Sequence, residues 1–190
     1  MTDVVLTVRE RLRTRITDQD DVQRSKPGRR ATADSLAQDE QAFGYALPNL
    51  LKRLYAEIGN GGFGPGYGLI GLTSGVPDDQ KRTALEAYAL YRGQDPDDPS
   101  WRWPAGMLPI CNWGCAIYSC IDCSKASFPM VIFDPNAHAE DGNWGDAFFP
   151  ECETFDQWIQ LWAAGSNLWD RMYGDDGLVA RISKERENAR

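Results

Sequence analysis

The sequence predicts an α+β fold in which helices pack against a mixed, mainly antiparallel sheet. Apolar residues recur at helical spacing in 4–16 and 48–58, strand-like segments fill 107–133, and a helical pattern returns from residue 154. Helices followed by strands and then by a closing helix are typical of an α+β domain. A chain of 190 residues suits one such domain with extensions.

The N-terminal segment 1–39 is predicted to contain one amphipathic helix and a polar linker. Valines, a leucine and an isoleucine recur at spacings of three and four within 4–16, and arginines decorate the other positions. Residues 17–39 are polar and contain a Pro-Gly pair, which is typical of a loop leading into the next helix. We therefore place the main domain at 40–173.

A second helix is predicted near Pro48, because proline is favoured in the first turn of a helix. The apolar face of this helix consists of Leu50, Leu51, Leu54, Tyr55 and Ile58. Gly59 is expected to end it, since glycine commonly terminates helices. The five glycines within 60–68 predict tight backbone turns directly afterwards.

Local patterns of apolar residues and turn formers predict the later elements. In chain order these are a strand at 69–72, a helix at 79–92, an exposed loop at 93–100, strands at 107–110, 115–122 and 129–133, a loop at 134–146 and a short strand at 147–149. Thr154 and Gln157 fit a capping box that opens the closing helix. A further helical turn is expected at 166–173, and 174–190 are expected to form a charged, weakly helical tail.

Composition and charge exclude several classes of function. The net charge of −8 opposes binding to a phosphate backbone, so no nucleic acid partner is expected, whereas a basic protein would be attracted. The same charge also serves solubility. We expect no membrane association and a cytoplasmic location, because no apolar run could span a membrane and no signal-peptide pattern is present.

No arrangement of catalytic residues is evident, and the chain is predicted not to be an enzyme. The single histidine, His138, lies in a loop of turn formers without an evident partner. Gly62-Phe63-Gly64 follows a helix and precedes a strand, which reverses the order of a dinucleotide-binding motif. No cofactor is therefore expected.

The five cysteines favour reduced, mostly buried thiols, because an odd number cannot pair completely. Four of them, at Cys111, Cys115, Cys120 and Cys123, are crowded into a region that reads as two strands and a turn. A zinc ribbon requires two close pairs held further apart. No metal is expected, with a zinc site or a redox-active pair at Cys120 and Cys123 as the alternatives.

A series of motifs spans about residues 40–165. Leu47-Pro48 opens the leucine-rich helix that contains Tyr55, Asn60-Gly61-Gly62-Phe63 follows it, and Gly68-Leu69-Ile70-Gly71-Leu72 comes next. The later blocks of the series are Leu108-Pro109-Ile110, Gly114, Asp122 and the helix that contains Trp158. Together these blocks resemble the SUKH superfamily, which includes fungal cell-wall-assembly regulators and many bacterial immunity proteins. The resemblance implies an architectural role for Pro48, Tyr55, Gly61, Gly62, Phe63, Gly71, Pro109, Gly114 and Trp158.

The resemblance also implies that the chain acts by binding a protein, with a cognate toxin such as a nuclease as the leading candidate. Two regions combine acidic and aromatic residues that would suit a basic cleft. They consist of Asp95, Asp97, Asp98, Trp101 and Trp103, and of Glu140, Asp141, Trp144 and Asp146. The alternative is that the tryptophans belong to the core and that the aspartates serve solubility.

Three functions are therefore considered. The first is an immunity protein that neutralises its toxin by direct binding. The second is a regulatory or scaffold module of the same fold with a housekeeping partner. The third is a zinc- or thiol-dependent protein that uses the cysteines.

Overall fold

The computed structural model describes residues 3–14, 26–93, 95, 97–138 and 143–188. The helices are α1 Val4–Thr14, α2 Ala33–Phe43, α3 Asn49–Glu57, α4 Ala84–Arg92, α5 Phe155–Ala163, α6 Leu168–Tyr173 and α7 Leu178–Asn188. The strands are β1 Met107–Gly114, β2 Ile117–Asp122, β3 Met130–Phe133 and β4 Phe148–Cys152, with short 3-10 helices at Pro135–Ala137 and Trp144–Ala147. The predicted α+β class is confirmed. Within these ranges, no helix has the length and apolar character needed to cross a membrane.

The four strands of the described chain form one sheet in the order β1-β2-β3-β4. Every ladder in it is antiparallel, so the predicted mixed sheet is antiparallel throughout this part of the chain. A tight turn joins β1 to β2, and both of its central residues, Cys115 and Ala116, have positive φ, as a type I′ turn requires. Each strand pairs with its neighbour in sequence, which local patterns can predict.

Helices cover both faces of the sheet. The main core joins α1, α3, α4 and α5 to one face. On the other face Ile117, Ile132 and Phe149 pack against Met172 of α6 and Val179 of α7. The segment expected as a weakly helical tail therefore contains a packed helix, because α7 supplies apolar residues that cover the sheet.

Two predictions in the N-terminal half of the chain are wrong. The predicted linker contains the start of α2, whose N-cap Thr32 exchanges hydrogen bonds with Ser35. Leu36 and Phe43 anchor this helix in the core, but two apolar residues are too few to produce a visible period. The helix predicted from residue 79 begins only at Ala84. Residues 15–25 of the expected linker lie outside the described ranges.

The strand predicted at 69–72 is wrong. Leu69 forms an isolated antiparallel bridge with Cys111, and the chain then turns away from the sheet. The amide of Gly71 donates to the carbonyl of Val76, and the amide of Leu72 donates to the Asn60 side chain at 2.8 Å. These turn contacts replace the ladder that a strand would form.

The glycine turn after α3 fixes the path of the chain. Gly61 has a φ of +82°, and a Cβ atom on it would lie 2.5 Å from the backbone nitrogen of Gly71. Tyr55 is fully buried beneath this turn, and its hydroxyl donates to the carbonyl of Ile70 at 2.6 Å. The motif residues of this region therefore act in the architecture, since two backbone segments meet where a side chain would not fit.

The remaining motif residues also have structural positions. Pro48 is the N-cap of α3, one position earlier than the first-turn place predicted for it. Phe63 and Trp158 are buried in the core, and Pro109 lies within β1. Gly62 and Gly114 have a positive φ, which favours glycine.

Replacing Tyr55 with Phe is expected to lower the free energy of unfolding by about 1–2 kcal/mol. The change would remove the donor that reaches the carbonyl of Ile70 at 2.6 Å and leave that carbonyl buried without this partner. Urea denaturation measures the loss. Tyr45→Phe is the matched control, because the Tyr45 hydroxyl has no hydrogen bond to any part of the chain that the structure describes. Equal losses in both variants would contradict this role.

Candidate functional site

The two regions predicted to bind a partner meet in the folded chain. The ring of Trp144 lies 4.6 Å from the ring of Trp101 in an edge-to-face arrangement. The indole nitrogen of Trp144 donates to Oδ2 of Asp98 at 2.7 Å, across 46 residues of sequence. His138 stacks on Trp144 with ring centroids 3.9 Å apart. We call Asp98, Trp101, His138 and Trp144 the acidic aromatic face.

Asp98 gives this face a fixed negative charge. One of its carboxylate oxygens accepts from the amide and hydroxyl of Ser100, and the other accepts from Trp144. The hydrogen bonds from Ser100 and Trp144, together with nearby His138, hold the pKa of Asp98 below its ordinary value. The carboxylate therefore remains ionised at neutral pH and orients the indole ring.

An aromatic cluster beneath the face supports it. The indole nitrogen of Trp101 donates to the carbonyl of Tyr91, at the end of α4, at 2.7 Å. The ring of Tyr91 stacks on Trp103 at 4.7 Å, and Trp103 contacts Phe133 of β3 at 4.9 Å. Rigid elements thus position Trp101 and Trp144, while both side chains remain half-buried rather than enclosed.

Several predicted site residues do not join this face. Trp103 is only 2% exposed and its indole donates to the carbonyl of Met107, so it is a core residue that offers no contact surface. Asp95 and Asp97 are exposed in the neighbouring loop, and Asp146 is half-buried beyond Trp144. The two acidic residues of the second region that remain, Glu140 and Asp141, lie outside the described residues.

The C-terminal helix contributes a contact that sequence reasoning missed. The guanidinium of Arg186 in α7 donates to the carbonyl of Asp146 at 2.6 Å and to that of Phe148 at 2.9 Å. It also lies 4.5 Å from the ring centroid of Phe149. α7 therefore holds the segment that follows Trp144. Nothing in the sequence distinguishes Arg186 from the other charges of the same segment.

In the described structure the cysteines form no metal-binding cluster, and three of them are buried. All five are free, and no group of three or more histidine, cysteine or acidic side chains in the described ranges could hold a metal ion. Burial raises the pKa of the Cys111 and Cys120 thiols well above the ordinary value and that of Cys123 to about 12. Thiols with raised pKa values are weak nucleophiles and weak ligands at neutral pH.

Comparison with known proteins agrees with this architecture. A search of the curated proteins finds no match to the chain. A family model described as the SMI1 / KNR4 family (SUKH-1) matches residues 30–161. That range covers the described elements from α2 to β4 and nearly all of α5, and it leaves α6 and α7 outside. Because the match covers more than half of the sequence, the chain belongs to the SMI1 / KNR4 family (SUKH-1).

Proposed function

We propose that the chain is a non-catalytic immunity protein that neutralises a cognate protein toxin by direct binding. The observation that carries the proposal is the acidic aromatic face, where two tryptophans from separate segments meet beside an ionised aspartate. Members of the family include immunity proteins, and the family is generally non-catalytic. Family membership therefore favours a binding role without identifying the partner.

The chemistry of the face favours a basic partner. Tryptophans that are held by neighbouring groups lose little conformational entropy on binding, so they act as anchors in protein interfaces. Trp101 and Trp144 are held in this way by hydrogen bonds from their indole nitrogens. The charge of Asp98 and the net charge of −8 would attract a cationic surface. A nuclease toxin with a basic cleft fits this description.

Replacing Trp144 with Ala is expected to weaken toxin binding by about 30-fold, which corresponds to about 2 kcal/mol. The substitution would remove one anchor and release the Asp98 carboxylate from the indole that orients it. Calorimetry with the purified toxin encoded beside the gene for this chain measures the affinity. Inhibition of the toxin's activity provides a second readout.

Trp169→Ala is the matched control for this experiment. Trp169 is also half-buried and stacked, but on Tyr173 of α6, away from the acidic aromatic face. The control should bind the toxin as the unmodified chain does. Equal losses in both variants would exclude the face as the binding surface. A chain that binds no neighbouring toxin but binds a housekeeping protein would favour the regulatory alternative, and stoichiometric zinc would favour the metal-dependent one.

A further inference from the structure

The imidazole of His138 covers one side of the Trp144 indole in the acidic aromatic face. The two rings are nearly parallel, with an angle of 9° between their planes and 3.9 Å between their centroids. Both side chains are half-buried, so the stack borders solvent. The place that the imidazole occupies is therefore accessible to another molecule once His138 turns away.

Trp144 is fixed by its neighbours, whereas the imidazole of His138 is held mainly by the stack. The indole nitrogen of Trp144 donates to Oδ2 of Asp98, and its ring packs edge-to-face against Trp101. Nδ1 of His138 is buried and has no hydrogen-bond partner among the residues that the structure describes. Buried polar atoms are almost always paired, so rotation of the imidazole into water would satisfy this nitrogen. Displacement of His138 would therefore expose an indole that stays in place.

The carboxylate of Asp98 lies beside the stack and can accept a further hydrogen bond. A carboxylate offers about four acceptor sites. The amide and hydroxyl of Ser100 and the indole of Trp144 use three of them. These hydrogen bonds are the main causes that lower the pKa of Asp98, and the charge of His138 adds to the shift. A cation in the place of the imidazole would thus be close enough to Asp98 to be attracted.

A planar cation suits this place better than a compact one. The guanidinium of arginine is flat, stacks on an indole as the imidazole does, and presents N–H groups to a carboxylate. The ammonium of lysine is a strongly hydrated point charge without a flat surface. An acidic group would be repelled by Asp98. The ring geometry and the charge together favour arginine.

We propose that the Trp144 indole binds an arginine side chain of the partner protein, which displaces His138. The guanidinium stacks where the imidazole now lies and pairs with Asp98, while the His138 side chain rotates into solvent. This site rests on the proposed function, because the arginine is supplied by the basic toxin. His138 is then an intramolecular substitute that covers the indole until the partner binds.

Titration of the full chain with propylguanidinium, the side-chain analogue of arginine, tests the proposal, and butylammonium is the matched analogue of lysine. His138 is the single histidine of the chain, so its ring-proton resonances are assigned without ambiguity. Stacking on the indole shields these protons, and displacement should return their resonances to the values of an exposed histidine. We expect propylguanidinium to cause this change and to bind at least about threefold more tightly than butylammonium.

Three variants separate the contributions. His138→Ala should bind propylguanidinium about fivefold more tightly than the unmodified chain, because no imidazole has to leave the indole. Asp98→Asn should lose about fivefold in affinity through the missing charge. Asp97→Asn removes the same charge from an exposed neighbour in the same loop and should bind as the unmodified chain does.

These titrations need no toxin, so the arginine site and the proposed function can fail separately. A chain that binds its arginine analogue but no toxin would contradict the proposed function alone. Equal affinities for the two cations, or weaker binding of propylguanidinium by His138→Ala than by the unmodified chain, would overturn the arginine site. A toxin complex in which the His138 resonances keep their positions would also overturn it.

Discussion

The Gly61→Ala variant is expected to lose at least about 4 kcal/mol of unfolding free energy. Gly61 has a φ of +82°, where a Cβ atom adds strain of about 1–2 kcal/mol. That Cβ atom would also lie 2.5 Å from the nitrogen and 2.8 Å from the Cα atom of Gly71. Since both contacts are with backbone, neither can be relieved by a side-chain rotation, and the turn after α3 would have to open.

Gly44→Ala separates the two contributions. Gly44 has a similar φ of +79° at the end of α2, but nothing lies within 4 Å of a Cβ atom placed there. Its substitution should therefore cost only about 1 kcal/mol. Urea denaturation followed by circular dichroism gives both free energies, and similar losses would show that the close approach of Gly61 to Gly71 has little energetic weight.

The Glu151→Gln variant is expected to remove a dependence of stability on pH that amounts to about 2–3 kcal/mol. Burial raises the pKa of Glu151 from 4.5 to about 7 in the folded chain. Between these values the folded chain holds the proton and the unfolded chain does not. The free energy of unfolding therefore falls as pH rises through this window, and the contribution of this group levels off above about pH 7.

Urea midpoints measured from about pH 5 to about pH 8 test this expectation. The difference in stability between Glu151→Gln and the unmodified chain should grow in favour of the variant as pH rises. Glu153→Gln provides the control, because Glu153 is an exposed glutamate of the same segment. If Glu151→Gln followed the same pH profile as the unmodified chain, burial of the carboxyl group would not govern the stability.

Elements with strong local signals could be predicted from the sequence. The apolar face and Pro48 located α3 to within one residue, and Thr154 does cap α5, where its hydroxyl accepts from the amide of Gln157 at 3.0 Å. The meander of β1, β2 and β3 followed from apolar runs separated by turn formers. Such features depend on residues close together in sequence, which a local pattern records.

Features that depend on distant contacts could not be predicted. Arg11 was expected on the polar side of α1, yet it is 6% exposed, with its guanidinium 4.6 Å from the ring of Trp162. The hydrogen bond between Trp144 and Asp98 joins groups 46 residues apart, and no local pattern specifies it. Likewise, α7 is stabilised by packing its apolar residues on the sheet, and the local sequence of α7 does not specify that contact.

The contacts of Arg186 link the docking of α7 to the order of the segment that follows Trp144. Since this guanidinium joins α7 to the carbonyls of Asp146 and Phe148, the free energy that docks α7 on the sheet also orders the segment that follows Trp144. Thermodynamic linkage makes the relation reciprocal. Any partner that orders this segment on binding would therefore also stabilise the docked position of α7.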